Sequence, residues 1–428
     1  MEGLEVSEVK LSQAVENKDY RIDSDFWTKM PKKNPLLKYM RIGDILLSAQ
    51  YGISISMNED NKGYPIYRMN EIHNMLCDLS VDKCADISAN DFQNFELKNR
   101  DILFNRTNSF EWVGRTGIYY QNDEIRKTFA SYLVRFNPDE SIILPEYLVA
   151  FLNTKQGVWD IKRRARQSIN QTNVNPEEVK EIEIPILSMD FQKKIKNNFE
   201  ESNKKRIQSQ QLYRQAKELL LETIGLKDFQ PVQENKNIKS FSESFLTTGR
   251  LDAEYYQPKY EEIIAKVEQQ EYDLLSNLVS IKKSIEPGSD VYSDEGLPFL
   301  RVADYNKLGI SKPEKKLSDN FCNDNQVLIN GLKPKKNTIL FSKDGSVGTA
   351  YMLREDADFI TSGAILHLTV KSRKVLPEYL TLVLNSEVVQ QQAERDAGGS
   401  IILHWRMEEI ENVVVPIVDD EIQQQIAE

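Results

Sequence analysis

The sequence predicts an α/β (α+β) chain built by tandem duplication, with two similar domains and a long coiled-coil-type helix after the first. Three observations carry this. The phrase LPEYLVAFLNT, from Leu144, returns as LPEYLTLVLNS, from Leu376, about half the chain away. The segments flanking the two copies also match, in the same order. A stretch from Met189 to Leu226 contains no proline, and no glycine before Gly225. A period this long fits two whole domains better than a solenoid, whose units run ~20–50 residues.

The matching landmarks run along the whole chain. YRIDSDFW, from Tyr20, faces GRLDAEYY, from Gly249. DILFNRTNSFEWVGRTGIYY (Asp101 to Tyr120) faces NTILFSKDGSVGTAYML (Asn337 to Leu353); each reads as a strand, a polar loop with a glycine, and a second strand. Beyond the LPEYL phrases, SINQTNVNPEEVKEIEIPIL (Ser168 to Leu187) faces SIILHWRMEEIENVVVPIV (Ser400 to Val418), and MDFQKKI faces DEIQQQI.

The elements follow in order. YPIYRMNEI, RDILFNR and FASYLVRF are short apolar runs bounded by polar residues, matched by PFLRVADY, NTILFS and AILHLTV. They read as strands of a compact domain. The LPEYL phrases read as core-packing helices, with Pro145 and Pro377 in the first turn and Glu146 and Glu378 at the positive helix end. In NPEEV, Asn175 can cap, Pro176 fits the first turn and Glu178 completes a capping box, so a brief helix precedes the strand IEIPIL.

From Met189 an apolar seam runs through Phe191, Ile195, Phe199, Leu212, Ala216, Leu219 and Ile224 at steps mostly of three and four. The predicted helix is ~55 Å long at 1.5 Å per residue. Its seam is polar in the middle, at Ser202 and Ser209, so its apolar ends are expected to need a partner surface. These signals divide the chain into a first domain over 1–188, the helix over 189–226, a linker over 227–248 and a second domain over 249–418. Residues 419–428 open an equivalent second helix, whose remainder is expected but missing.

Composition is that of a globular chain: 428 residues, 40% hydrophobic and 28% charged. No apolar run approaches the ~18 residues of a membrane span, and the acidic start MEGLEVSEVK has no signal-peptide pattern. Three cysteines (Cys77, Cys84, Cys322) without metal-type spacing suit a reducing cytoplasm. The net charge of −11 argues mildly against bulk attraction to nucleic acid, though local charge decides such binding.

Enzyme signatures are missing. No glycine-rich cofactor fingerprint follows a strand. DAGGS lacks that context, and His73, His367 and His404 form neither a triad nor a zinc pattern.

FNRTNSFEWVGRTG and FSKDGSVG resemble the strand-loop-glycine signature of the specificity subunit of Type I restriction-modification systems. QTNVNPEEVKEIEIPILSMDFQKKI resembles that family's strand, proline and Q-x-x-I lead into a long helix, with MEEIENVVVPIVDDEIQQQI as its second copy. The resemblance covers nearly the whole chain. It implies two target recognition domains, each reading one half of a split sequence in double-stranded DNA. It implies long helices that space the domains and dock modification subunits, in a cytoplasmic phage-defence complex with a restriction/translocase subunit and no membrane. It further implies no catalytic centre and no cofactor in this chain, with S-adenosylmethionine and ATP used by the partner subunits.

On this resemblance, base contacts are expected from the polar loops. Asn105, Arg106, Thr107, Asn108 and Arg115 are of the types that pair with base edges, arginine with guanine and asparagine with adenine. Ser342, Lys343, Asp344 and Ser346 are their counterparts. In IKRRARQSINQ, Arg163, Arg164 and Arg166 could neutralise phosphates, with Asn170 and Gln171 following. The matching AERDAGGSIILHWRM keeps Arg395 and Arg406, and His404 and Trp405 could stack or pair. Each has an ordinary alternative: a solvated hairpin loop, a solvated helix end, a packed aromatic. Gly114, Gly345 and Gly348 are expected to serve backbone geometry. The competing function is a non-catalytic protein-protein adaptor with two similar domains on a helical arm.

Overall fold

The computed structural model describes residues 6–16, 20–169, 171–234, 236–399 and 402–428. The chain forms two compact units, Met1–Ser209 and Gln210–Glu428.

In the first unit a six-stranded sheet has the order Leu46–Tyr51, Leu133–Pro138, Ile102–Asn105, Thr116–Ile118, Leu76–Cys77, Ile72–His73. The central strand, Ile102–Asn105, is buried throughout, because both of its faces are covered. Ile102 and Phe104 meet Phe136, Leu148 and Ile184 on one side. Leu103 meets Tyr67, Phe129 and Leu133 on the other. The second unit repeats the plan. Its sheet orders Val279–Lys283, Ile365–Val370, Ile339–Ser342 and Ala350–Met352. Ile339 and Phe341 face the helix-covered core, and Leu340 faces Leu300 and Tyr305. A second, four-stranded sheet accompanies each: Thr128–Phe129, Tyr64–Tyr67, Cys84–Ala85, Met57–Asn58 in the first, and Ile360–Thr361, Leu297–Leu300, Lys315–Leu317, Tyr292–Ser293 in the second. The run FASYLVRF, read as one strand, is two: the chain turns at Ala130–Tyr132 and changes sheets.

The repeated eleven-residue phrase makes the same bonds in both units. It forms the helices Pro145–Leu152 and Pro377–Leu384. The Tyr147 hydroxyl donates to the Pro185 carbonyl at 2.7 Å, and Tyr379 to Pro416 at 2.9 Å. The Asn153 amide donates to Thr116 and Val149 carbonyls at 2.9 and 2.8 Å; Asn385 donates to Ala350 and Thr381 at 2.8 and 3.0 Å. The glutamine of each Q-x-x-I closes the other end. Gln192 accepts from the Leu144 N–H at 2.8 Å and donates to the Ile142 and Leu187 carbonyls. Gln423 accepts from Leu376 at 2.8 Å and donates to Lys374 and Val418. Both glutamines are buried, where leaving those backbone groups unpaired would be costly.

The long helix runs over Met189–Thr223 and stops at Gly225, whose φ of 69° suits glycine. Its seam does not wait for a partner helix. Ile195 and Phe199 pack on the first unit's core. Tyr213, Ala216, Leu220, Leu221 and Ile224 pack on the second's. The first end lies against the first LPEYL helix, where Phe191 meets the Tyr147 ring edge-on. Phe191 and Leu212 stay exposed.

Candidate nucleic-acid interface

In each unit one junction gathers the loop between the two paired strands and a hairpin that follows the next helix. In the first unit the loop leaves the sheet at Asn105 and returns at Thr116. Gly114 (φ 87°) folds back so that its N–H donates to the Asn105 carbonyl at 2.8 Å; Gly348 (φ 80°) does the same to Ser342 at 2.8 Å. Both are glycines because side chains rarely take that conformation.

Strand Thr107–Asn108, within the loop, pairs with Thr172–Asn173, which pairs with Arg166–Gln167. The tip of this hairpin carries Ile169, 99% exposed. In the second unit His404 bridges both Asp344 and Gly398, building the equivalent junction. Here Ile402 and Leu403 are the exposed apolar residues.

Several predicted contact residues belong to the scaffold instead. Asn105 is fully buried, its amide donating to the Met69 and Trp112 carbonyls and its oxygen accepting from the Thr107 N–H. Ser342 is equally buried, its hydroxyl donating to the Ser346 carbonyl and accepting from the Thr349 N–H. Both fasten the loop's base, so neither offers a surface.

The correction is largest for the basic run. Arg163 and Arg164 sit at the end of helix Lys155–Arg164, 8% and 5% exposed. Both donate to Asp160, at 2.5 and 3.1 Å, and Arg164 reaches Glu178 at 3.0 Å. They are a buried ion network, not a phosphate clamp: burial forced the arginines to find carboxylates. Lys162, beside them, donates to three carbonyls, including Glu111 and Val113 at 2.9 Å. Burial pushes its ammonium down to about 8. It ties helix to loop.

Other predicted residues do face outward. Arg106 is half-buried, its guanidinium over the Tyr51 ring. Arg115 lies over the ring of Trp112, which is 39% exposed. Asn108 is half-buried and caps the Ser109 N–H. Arg166 and Gln171 are exposed on the hairpin. Asn170 lies outside the described residues. Thr107 is buried, its hydroxyl donating to Asn173 at 2.6 Å. In the second unit Lys343 pairs with Asp344, and His404 meets the same carboxylate at 2.8 Å. Ser346 is exposed. Arg406 is exposed but bonded to Glu409 in a capping box. Trp405 is buried against Phe341.

The sequence reading missed Asn173 and a cleft of about 500 Å³ beside the first loop, lined by Arg21, Lys29, Phe110, Trp159, Lys162 and Arg163. Arg21 was legible only as a landmark. It holds Asp23 and reaches the Arg164 carbonyl at 3.2 Å, as Arg250 holds Asp252 and reaches Asp396 at 2.9 Å.

Among the described residues no cluster of His, Cys, Asp and Glu could hold a metal ion, and no helix is long and apolar enough to cross a membrane.

The family model of the type I restriction modification DNA specificity domain matches residues 36–213 and 271–428. The type I restriction enzyme MjaX specificity subunit of Methanocaldococcus jannaschii is 30% identical over 153 residues, 36% of this chain and 36% of that protein. The EcoBI specificity subunit of Escherichia coli is 23% identical over 204 residues, 44% of this chain and 42% of that protein. The matches thus span less than half of either relative. A crystal structure of the type I restriction-modification S subunit from M. genitalium aligns over 93% of this chain and 90% of that one, with a TM-score of 0.42 and 15% identity. With the family model matching most of the chain, in two stretches, the chain belongs to the type I restriction modification DNA specificity domain family.

Proposed function

We propose that this chain is the sequence-reading subunit of a type I restriction-modification complex, each unit recognising one half of a bipartite site in double-stranded DNA. The observation that carries this is the pairing of one buried framework, kept bond for bond in both units, with loop-and-hairpin junctions whose outward side chains differ. Arg106, Asn108, Arg115, Arg166 and Gln171 contact DNA from the first unit; Lys343, Ser346, His404 and Arg406 do so from the second. The helix Met189–Thr223 spaces the units and docks modification subunits, and a restriction/translocase subunit completes the complex in the cytoplasm. This chain contributes recognition and no catalysis; S-adenosylmethionine and ATP act in the partners.

Titration of the full chain into fluorescent duplex DNA tests the reading. Four phosphate contacts would lose about 100-fold in affinity between roughly 50 and 200 mM salt, at a slope of about −0.9 per contact. Absence of duplex binding at low salt, with partner proteins still co-purifying, would favour the adaptor instead.

A further inference from the structure

The two junctions superpose in their bonding. The Arg106 N–H donates to Tyr132 at 3.0 Å, and Lys343 to Ala364 at 2.9 Å. The carbonyls of the same two residues accept from Val174 at 2.9 Å and Trp405 at 2.8 Å. The next residue in each loop, Thr107 or Asp344, therefore faces the residue before Val174 or Trp405, which is Asn173 or His404. One cross-strand position is filled by Thr–Asn in the first unit and by Asp–His in the second.

Both pairs work the same way. The inner residue holds one polar atom of the outer residue and leaves the other pointing away. Thr107 donates to Asn173 Oδ1 at 2.6 Å, and the Asn173 amide nitrogen has no partner among the described residues. Asp344 Oδ1 holds His404 Nδ1 at 2.8 Å, and the histidine side chain is 62% exposed against 18% for the aspartate. A carboxylate only accepts, so Nδ1 carries the proton, and in the uncharged ring Nε2 is then an acceptor.

We propose that the outer residue of this pair, Asn173 in the first unit and His404 in the second, is the specificity-determining side chain of its half-site, aimed by the inner residue. This rests on the DNA-reading function proposed above. The chemistry then differs by unit. The Asn173 NH2 seeks an acceptor on a base edge, such as purine N7, guanine O6 or thymine O4. His404 Nε2 seeks an amino donor, adenine N6 or cytosine N4.

The test selects duplexes from a randomised library with the full chain, with His404→Ala, and with the exchange variant Asp344→Thr/His404→Asn. Wild type should enrich two half-sites. His404→Ala should relax the preference at one base pair of one half-site. The exchange should move that preference from an amino donor toward an acceptor. The other half-site should be unchanged in both, which also reports that the chain is folded. A motif identical to wild type in both halves from both variants would overturn the assignment of His404. Failure of wild type to enrich any sequence would instead remove the DNA-reading function on which the assignment rests.

Discussion

In the first unit the glutamate of the repeated helix, Glu146, is fully buried and held by Arg100 through two bonds of 2.7 and 2.8 Å; in the second its counterpart, Glu378, faces an exposed Arg354 at 3.5 Å. The contrast recurs one helix later. Asp160, Arg163, Arg164 and Glu178 are all buried together, whereas Arg395, half-buried, pairs with Asp396, and Arg406 lies exposed on Glu409. Yet the tyrosine, asparagine and glutamine bonds of the framework are the same in both units. Neutral side chains that satisfy backbone groups fix the fold and must be kept. Ion pairs need only satisfy themselves, so they can be remodelled.

The largest test of this contrast is Arg164→Ala. It strips a buried partner from Asp160 and Glu178 and should destabilise the first unit by about 3–5 kcal/mol. Denaturant unfolding of the full chain reads it; a loss under about 1 kcal/mol would put the network on a par with surface pairs.

Next is an acid response built into the second unit. His367 and Arg135 occupy the same register, opposite Leu340 and Leu103. His367 is 4% exposed, bonded to Thr361 at 2.8 Å, and burial pushes it down to about 4. Its folded value lies below the ordinary 6.5, so the unfolded chain takes up the proton first. The contribution of His367 then falls as pH drops from about 6.5 to 4, by up to about 3 kcal/mol, and changes no further below that. Thermal melts across this range should show a steeper loss in wild type than in His367→Gln; equal slopes would contradict it.

The shared framework gives the third test. Gln192→Ala and Gln423→Ala each remove a buried side chain that pairs three backbone groups and should each cost about 1–3 kcal/mol. Hydrogen exchange should show losses of similar size, each in its own unit. Smallest of all, Arg354→Ala should change stability by under about 1 kcal/mol, because its pair is exposed.

Much of this was legible in the letters. ILFN and ILFS are strands because continuous apolar runs suit a sheet covered on both faces, and the LPEYL helices and the long helix follow from their periodicity. The basic run misled because charge along a chain says nothing about burial. Asp160 at helical spacing from Arg163 and Arg164 was the available signal. Asn105 and Ser342 sit at the ends of predicted strands, where loop and core read alike. The Thr107–Asn173 and Asp344–His404 pairs join segments some sixty residues apart through strands of two residues or single bridges, too short to leave a period.

In the proposed function one framework, used twice, carries two different readers. Co-expression of the full chain with a modification subunit, followed by mapping of methylated bases across a genome, tests it most directly. Methylation is expected within a single split sequence, two specified parts separated by unspecified bases of constant number. Methylation within one uninterrupted motif, or at sites sharing only one specified part, would contradict it.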